Sequence, residues 1–184
     1  YGHALGRALA LLTTHGADRL HPMSALSLCG ASFQLGCFHG AVEGSVLRRL
    51  VESEEARGRP VALDYARAVD GSPQPPHARA RLAEAAGGRL HDEYASICAE
   101  AGMAGIAYGE CVHALGHAAF MLSSDDLGGA ERACRDFAAA GGAASGSRLY
   151  YCAQGAYMEA FYGGVSRGAD FCRRAAAPGP CFAY

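Results

Sequence analysis

Two histidines one helical turn apart are the first place in this chain where chemistry can enter. His113-Ala114-Leu115-Gly116-His117 sets two imidazoles at i and i+4, on one face of a helix, where both can reach a divalent ion as in helical zinc sites. The frame recurs. His3-Ala4-Leu5-Gly6-Arg7, His39-Gly40-Ala41-Val42-Glu43, His77-Ala78-Arg79-Ala80-Arg81 and Gln154-Gly155-Ala156-Tyr157-Met158 repeat it, with first residues separated by 36, 38, 36 and 41 positions and Ala or Gly always next. A third metal ligand must come from another helix, and axes about 8–10 Å apart restrict it to a neighbour. Met158 and Gln154 on one side and His77 on the other are within that reach, so the candidate metal set is His113, His117, Met158 and His77. His39 and Glu43 fall to a different site by the same reasoning. Copper or zinc is the implied ion, because a thioether ligand is too soft for magnesium or calcium.

Two other chemistries touch the same residues. His113 to His117 resembles the HExxH helix of zinc hydrolases, but Ala114 stands where the general-base glutamate belongs. Glu110 is three residues before His113 and cannot take that position, while Glu159 would be the third ligand of such a site. No CxxCH haem-attachment motif is present, which leaves only non-covalent haem with His or His/Met axial ligands. No catalytic residue is assigned. The competing structural reading of the repeated histidine is a packing residue that donates to a carbonyl of the next hairpin, and it is preferred for most copies.

The elements that must position these residues are helical. A period of 36 to 41 residues marks a stacked helical repeat, and no alternating β-branched run suggests a strand. Helices are expected over 3–15, 21–29, 37–54, 60–70, 77–86, 90–101, 111–122, 127–140 and 149–162, with a last hairpin from 169 to 181. Val42, Val46, Leu47, Leu50 and Val51 make an apolar stripe at helical spacing. Ser124-Asp125-Asp126 supplies capping oxygens for the helix that follows. The small second residue of each frame lets a neighbouring helix approach closely.

The expected fold is all-α: a right-handed superhelical array of antiparallel helix pairs. It reads as one domain, with a partial repeat over 1–16, repeats over about 17–54, 55–88, 89–123 and 124–163, and a partial hairpin over 164–184.

Eight cysteines fall into local pairs, Cys29 with Cys37, Cys98 with Cys111, Cys134 with Cys152 and Cys172 with Cys181. Zinc sites bring cysteines two to four residues apart, and no such pair occurs. The spacing suits disulfides that staple the helices of one hairpin, and hence an oxidising compartment, secreted or periplasmic. With 184 residues, 51 % hydrophobic residues and a net charge of −2, the chain is long enough to bury a core and has no basic excess for nucleic acid. No apolar run reaches the length of a membrane span, and the chain begins at Tyr1, as a mature form would.

Asp126 to Cys134 followed by Tyr151 to Tyr157, and then Gly163 to Cys181, resemble the Sel1-like repeats of cysteine-rich secreted proteins, relatives of the tetratricopeptide repeats. The resemblance is clearest over 125–184 and rests on the period elsewhere. It implies α/α hairpins bridged by disulfides and a role in protein–protein interaction or assembly, with another protein as partner. His39, Glu43, Gln154 and Tyr157 would then lie on the interaction surface. The functional expectation is therefore a disulfide-stapled interaction module, with a copper- or zinc-binding protein built on His113 and His117 as the alternative and a degenerate zinc hydrolase as a remote one.

Overall fold

In a computed structural model, the residues described are 2–12, 28–29, 34–86, 95–99, 105–123, 126–140, 142, 145–162, 172–173, 175 and 178–181. Among these the chain is all-helical. The helices are α1 (Gly2–Leu12), α2 (Gln34–Ala56), α3 (Tyr65–Asp70), α4 (Pro76–Ala86), α5 (Gly105–Leu122), α6 (Leu127–Ala139), α7 (Ser145–Tyr162) and α8 (Pro178–Cys181), with a further helical stretch over 95–99. The helix expected over 21–29 and the first part of the terminal hairpin lie largely outside the described residues, as do the ends of those expected over 3–15 and 90–101.

Local chemistry sets several boundaries. Asp126 caps α6 by accepting from the backbone N–H groups of Gly128 and Gly129. The segment expected to be helical from residue 60 is extended up to Asp64 and becomes helix only at Tyr65. Two interactions explain the late start. The Asp64 carboxylate caps the N–H of Arg67, and the Gln74 side-chain amide bonds both the N–H and the C=O of Asp64. Gly71 ends α3 with φ of 84°, the left-handed conformation glycine adopts without strain.

The frames prove to be of two kinds that fit one another. In α1 and α5 the glycine is the fourth residue, Gly6 and Gly116; in α2 and α7 it is the second, Gly40 and Gly155. A Cβ on Gly6 would lie 1.9 Å from the Cys37 carbonyl oxygen, and one on Gly40 would lie 2.0 Å from that of His3. The α5–α7 contact repeats this, with Gly116 against the Cys152 oxygen at 2.0 Å and Gly155 against that of His113 at 1.9 Å. Both pairs are thus sealed backbone to backbone, and equivalent frame positions meet. Both pairs also run parallel: Gly2 lies beside Gly36, Gly6 beside Ala41 and the Ala10 side chain beside Gly44.

The two pairs join through α2 and α5, and α6 packs on both α5 and α7. The apolar stripe of α2 is buried in the main core, where it meets Val112, Leu115 and Phe120 of α5. Helix α4, which carries the third frame, packs against α2 and α5 from outside.

Four disulfides join Cys29 to Cys37, Cys98 to Cys111, Cys134 to Cys152 and Cys172 to Cys181, with Cα atoms 5.9, 5.9, 5.6 and 5.3 Å apart. These separations lie within the usual disulfide range. Four bridges fit an oxidising surrounding, and no helix among the described residues is long and apolar enough to cross a membrane.

Candidate metal centre

A frame histidine sits near the same height on α1, α2 and α5, and all of these rings turn to the line where the two glycine-sealed pairs meet. Ring centroids of His3 and His39 are 5.6 Å apart, those of His3 and His117 5.1 Å, and those of His39 and His117 5.3 Å. His113 closes on the same rings, 5.0 Å from His39 and 4.8 Å from His117.

Each ring has a polar partner on a different helix. The Nδ1 atom of His3 is 2.7 Å from Oε1 of Glu43, and Nε2 of His39 is 3.0 Å from Oε2 of Glu110. In α5, Nδ1 of His117 is 2.7 Å from Oε1 of Glu159, while Nδ1 of His113 makes only a long contact of 3.4 Å with Oε1 of Gln154. An ionised carboxylate can only accept, so the imidazole nitrogen facing it carries the hydrogen and the other nitrogen has a free lone pair. At His117 this is visible: the residue is 1 % exposed and its Nε2, fully buried, has no hydrogen-bond partner.

The electrostatics favour neutral rings at His113 and His117 and charged carboxylates at Glu43 and Glu110. Burial pushes His117 well below its ordinary value, and it brings His113 down to about 4. Burial alone would raise Glu43, but the hydrogen bond from His3 and the guanidinium of Arg7 hold it below the usual carboxylate range. Glu110 is likewise lowered, chiefly by its bond to His39. Arg7 donates through Nη1 to Oε2 of Glu43 and through Nε to the Val69 carbonyl, tying the site to the end of α3. Counting formal charges on Glu43, Glu110, Glu159 and Arg7, these residues keep a surplus of two negative charges, which is what a divalent cation neutralises.

Among the described residues, two groups bring metal-ligating atoms within 4.8 Å of one another: His3, His39 and His117, and His3, Glu43, His117 and Glu159. Neither includes His113. The two histidines of the HxxGH segment, with ring centroids 4.8 Å apart, thus do not fall in one such group. His77 is exposed on α4 and contributes to neither group, and Met158 is half-buried on α7 beside Glu159.

His39 and Glu43, assigned to a different site by the reach argument, share the site of His117. That argument held frames two repeats apart out of contact, whereas His3 of the first frame and Glu159, one residue past the last, come together. As to the expected interaction surface, His39 and Glu43 are 6 % and 2 % exposed, and Tyr157 is fully buried with its hydroxyl donating to Glu131. Gln154 is half-buried.

His3 and Glu110 are the participants that sequence reasoning did not assign to the centre. One signal pointed to the first: Arg7 and Glu43 occupy the same frame position with opposite charge, as facing helices would place them. No family model matches this chain, and neither a curated protein nor a solved structure is significantly similar to it.

Proposed function

We propose that this protein binds a divalent transition-metal ion, zinc or copper, where α1, α2, α5 and α7 converge, and that it does so in a secreted or periplasmic setting. The observation that carries the reading is Nε2 of His117. A buried polar atom without a partner is disfavoured by roughly 1–3 kcal/mol, yet this one belongs to the residue shared by both groups of metal-ligating side chains, His3, His39 and His117, and His3, Glu43, His117 and Glu159, each with its ligating atoms within 4.8 Å of one another. A metal ion satisfies it. The hydrogen bond from Nδ1 to Glu159 orients the ring and raises its basicity, the arrangement that accompanies most metal-bound histidines. Imidazole and carboxylate donors suit zinc and copper, so no thioether is required from Met158. The four disulfides support the compartment.

The test is metal uptake by the full, oxidised chain. Calorimetric titration with zinc or copper should give one ion per chain, and His117→Ala should abolish stoichiometric retention while leaving helical circular dichroism intact. A folded wild-type protein that takes up neither ion would overturn the reading. An interaction module built on His39, Glu43 and Tyr157 draws no support from side chains that are buried.

A further inference from the structure

The two candidate ligand groups make different chemistry, and the ring spacing of the first agrees with three-imidazole ligation. An ion bound to an imidazole nitrogen at about 2.0–2.1 Å stands about 3.2 Å from the ring centroid. Three such rings in tetrahedral arrangement therefore have centroids about 5.2 Å apart. The observed triangle of His3, His39 and His117, with sides of 5.6, 5.1 and 5.3 Å, has that size before any ion is placed in it.

The carboxylates are already engaged in a way that suits support rather than ligation. Glu43 accepts from His3 on one oxygen and from Arg7 on the other. As a ligand it would share its oxygens with these two donors, whereas as an acceptor it leaves the other nitrogen of His3 free. Glu159 and Glu110 each hold one ring, His117 and His39 respectively. All three rings of the triangle have a carboxylate behind them. His113 faces an amide instead.

Resting on the metal reading above, we infer that the ion is held by His3, His39 and His117, with Glu43, Glu110 and Glu159 as acceptors for the opposite ring nitrogens, and that a fourth position is open to water or a small anion. Three protein ligands with one exchangeable place are the pattern of reactive rather than purely structural zinc centres. His39 and His117 are enclosed, but the side chains of His3, Glu110 and Glu159 are 26, 35 and 36 % exposed, and azide is the small anion that tests the fourth position.

Cobalt(II) is the probe, because its visible bands report ligand type and number. In the full oxidised chain loaded with cobalt(II), azide should shift the bands. His39→Ala should change them and weaken cobalt binding at least 100-fold. Glu159→Gln keeps an acceptor for the His117 N–H, so it should leave the band positions in place while weakening binding about 10- to 100-fold. Should His39→Ala lose its fold, pulsed electron paramagnetic resonance of the copper(II)-loaded wild type counts the imidazoles directly, and three are expected. Unchanged bands in His39→Ala, a spectrum altered by Glu159→Gln, indifference to azide, or two imidazoles on copper would each overturn the assignment while the ion is still bound. Absence of any bound ion would instead defeat the metal reading itself.

Discussion

The α1–α2 and α5–α7 pairs share one backbone frame, and they differ in three of its four end residues: Arg7 against His117, His39 against Gln154 and Glu43 against Met158. Both are sealed by two glycines against carbonyl oxygens, and both follow a disulfide-bonded cysteine into the second helix. Four residues after the first histidine, however, one pair has Arg7 and the other His117. Arg7 answers the negative charge of Glu43 with a permanent cation, so its side of the centre is electrically settled without a metal. His117 meets Glu159 as a neutral ring and leaves Nε2 bare. The backbone frame brings the side chains together, and the residue types at its ends leave an ion pair on one side and a bare imidazole nitrogen on the other.

The comparison is most easily broken at the seal. Gly6→Val and Gly155→Val each place a side chain where a Cβ already falls 1.9 Å from a carbonyl oxygen, and each is expected to cost more than about 4 kcal/mol, the scale of the severest core changes. Urea denaturation checks this, and tolerance of either substitution would mean that the two seals are not equivalent. Next in size is Arg7→Met, which strands Glu43 as a buried charge and should cost about 3–5 kcal/mol in the metal-free protein. The ring pair of α5 has no comparable ion pair to lose.

Its weakness is acid. Burial brings His113 from 6.5 down to about 4 in the folded protein and pushes His117 well below 6.5, so the unfolded chain binds these protons first. Stability of the metal-free protein should therefore be full above about pH 6.5 and decline as pH drops toward 4, by about 3 kcal/mol from His113 alone. Glu43 and Glu110, both lowered from 4.5, add their loss only below that value. Unfolding midpoints that stay level between neutral pH and about pH 5 would contradict neutral, buried rings. The smallest effect is a control within α7. Gly146 is exposed with nothing within 4 Å of a built Cβ, so Gly146→Ala should stabilise by about 0.5–1 kcal/mol through helix propensity.

Much of this was legible in the sequence because it is local. Helical spacing identified the buried stripe of α2, the Asp126 cap followed from its side-chain oxygens, and the cysteines pair with near neighbours. The centre was legible only in part. His117 stood out through its spacing from His113, yet the two part company because His117 turns toward His3 and Glu159, which stand at opposite ends of the series of frames. Convergence of that kind depends on how two helix pairs face each other, which no interval along the chain encodes. The division into His-x-x-Gly and Gly-second frames was readable and would have paired α1 with α2 and α5 with α7. Glu110 fails a test for a hydrolase base on its own helix, but its actual partner, His39, lies on another one.

The bridging cysteines have a consequence for where this centre can exist. Cys37, Cys111 and Cys152 each stand two residues ahead of a frame residue, at His39, His113 and Gln154, so covalent clamps lie within one turn of the side chains that converge. Thiol reduction would slacken the backbone immediately beside these side chains. If the centre holds an ion as proposed, loading and oxidation state are linked, and the completed bridges fix the frame around it.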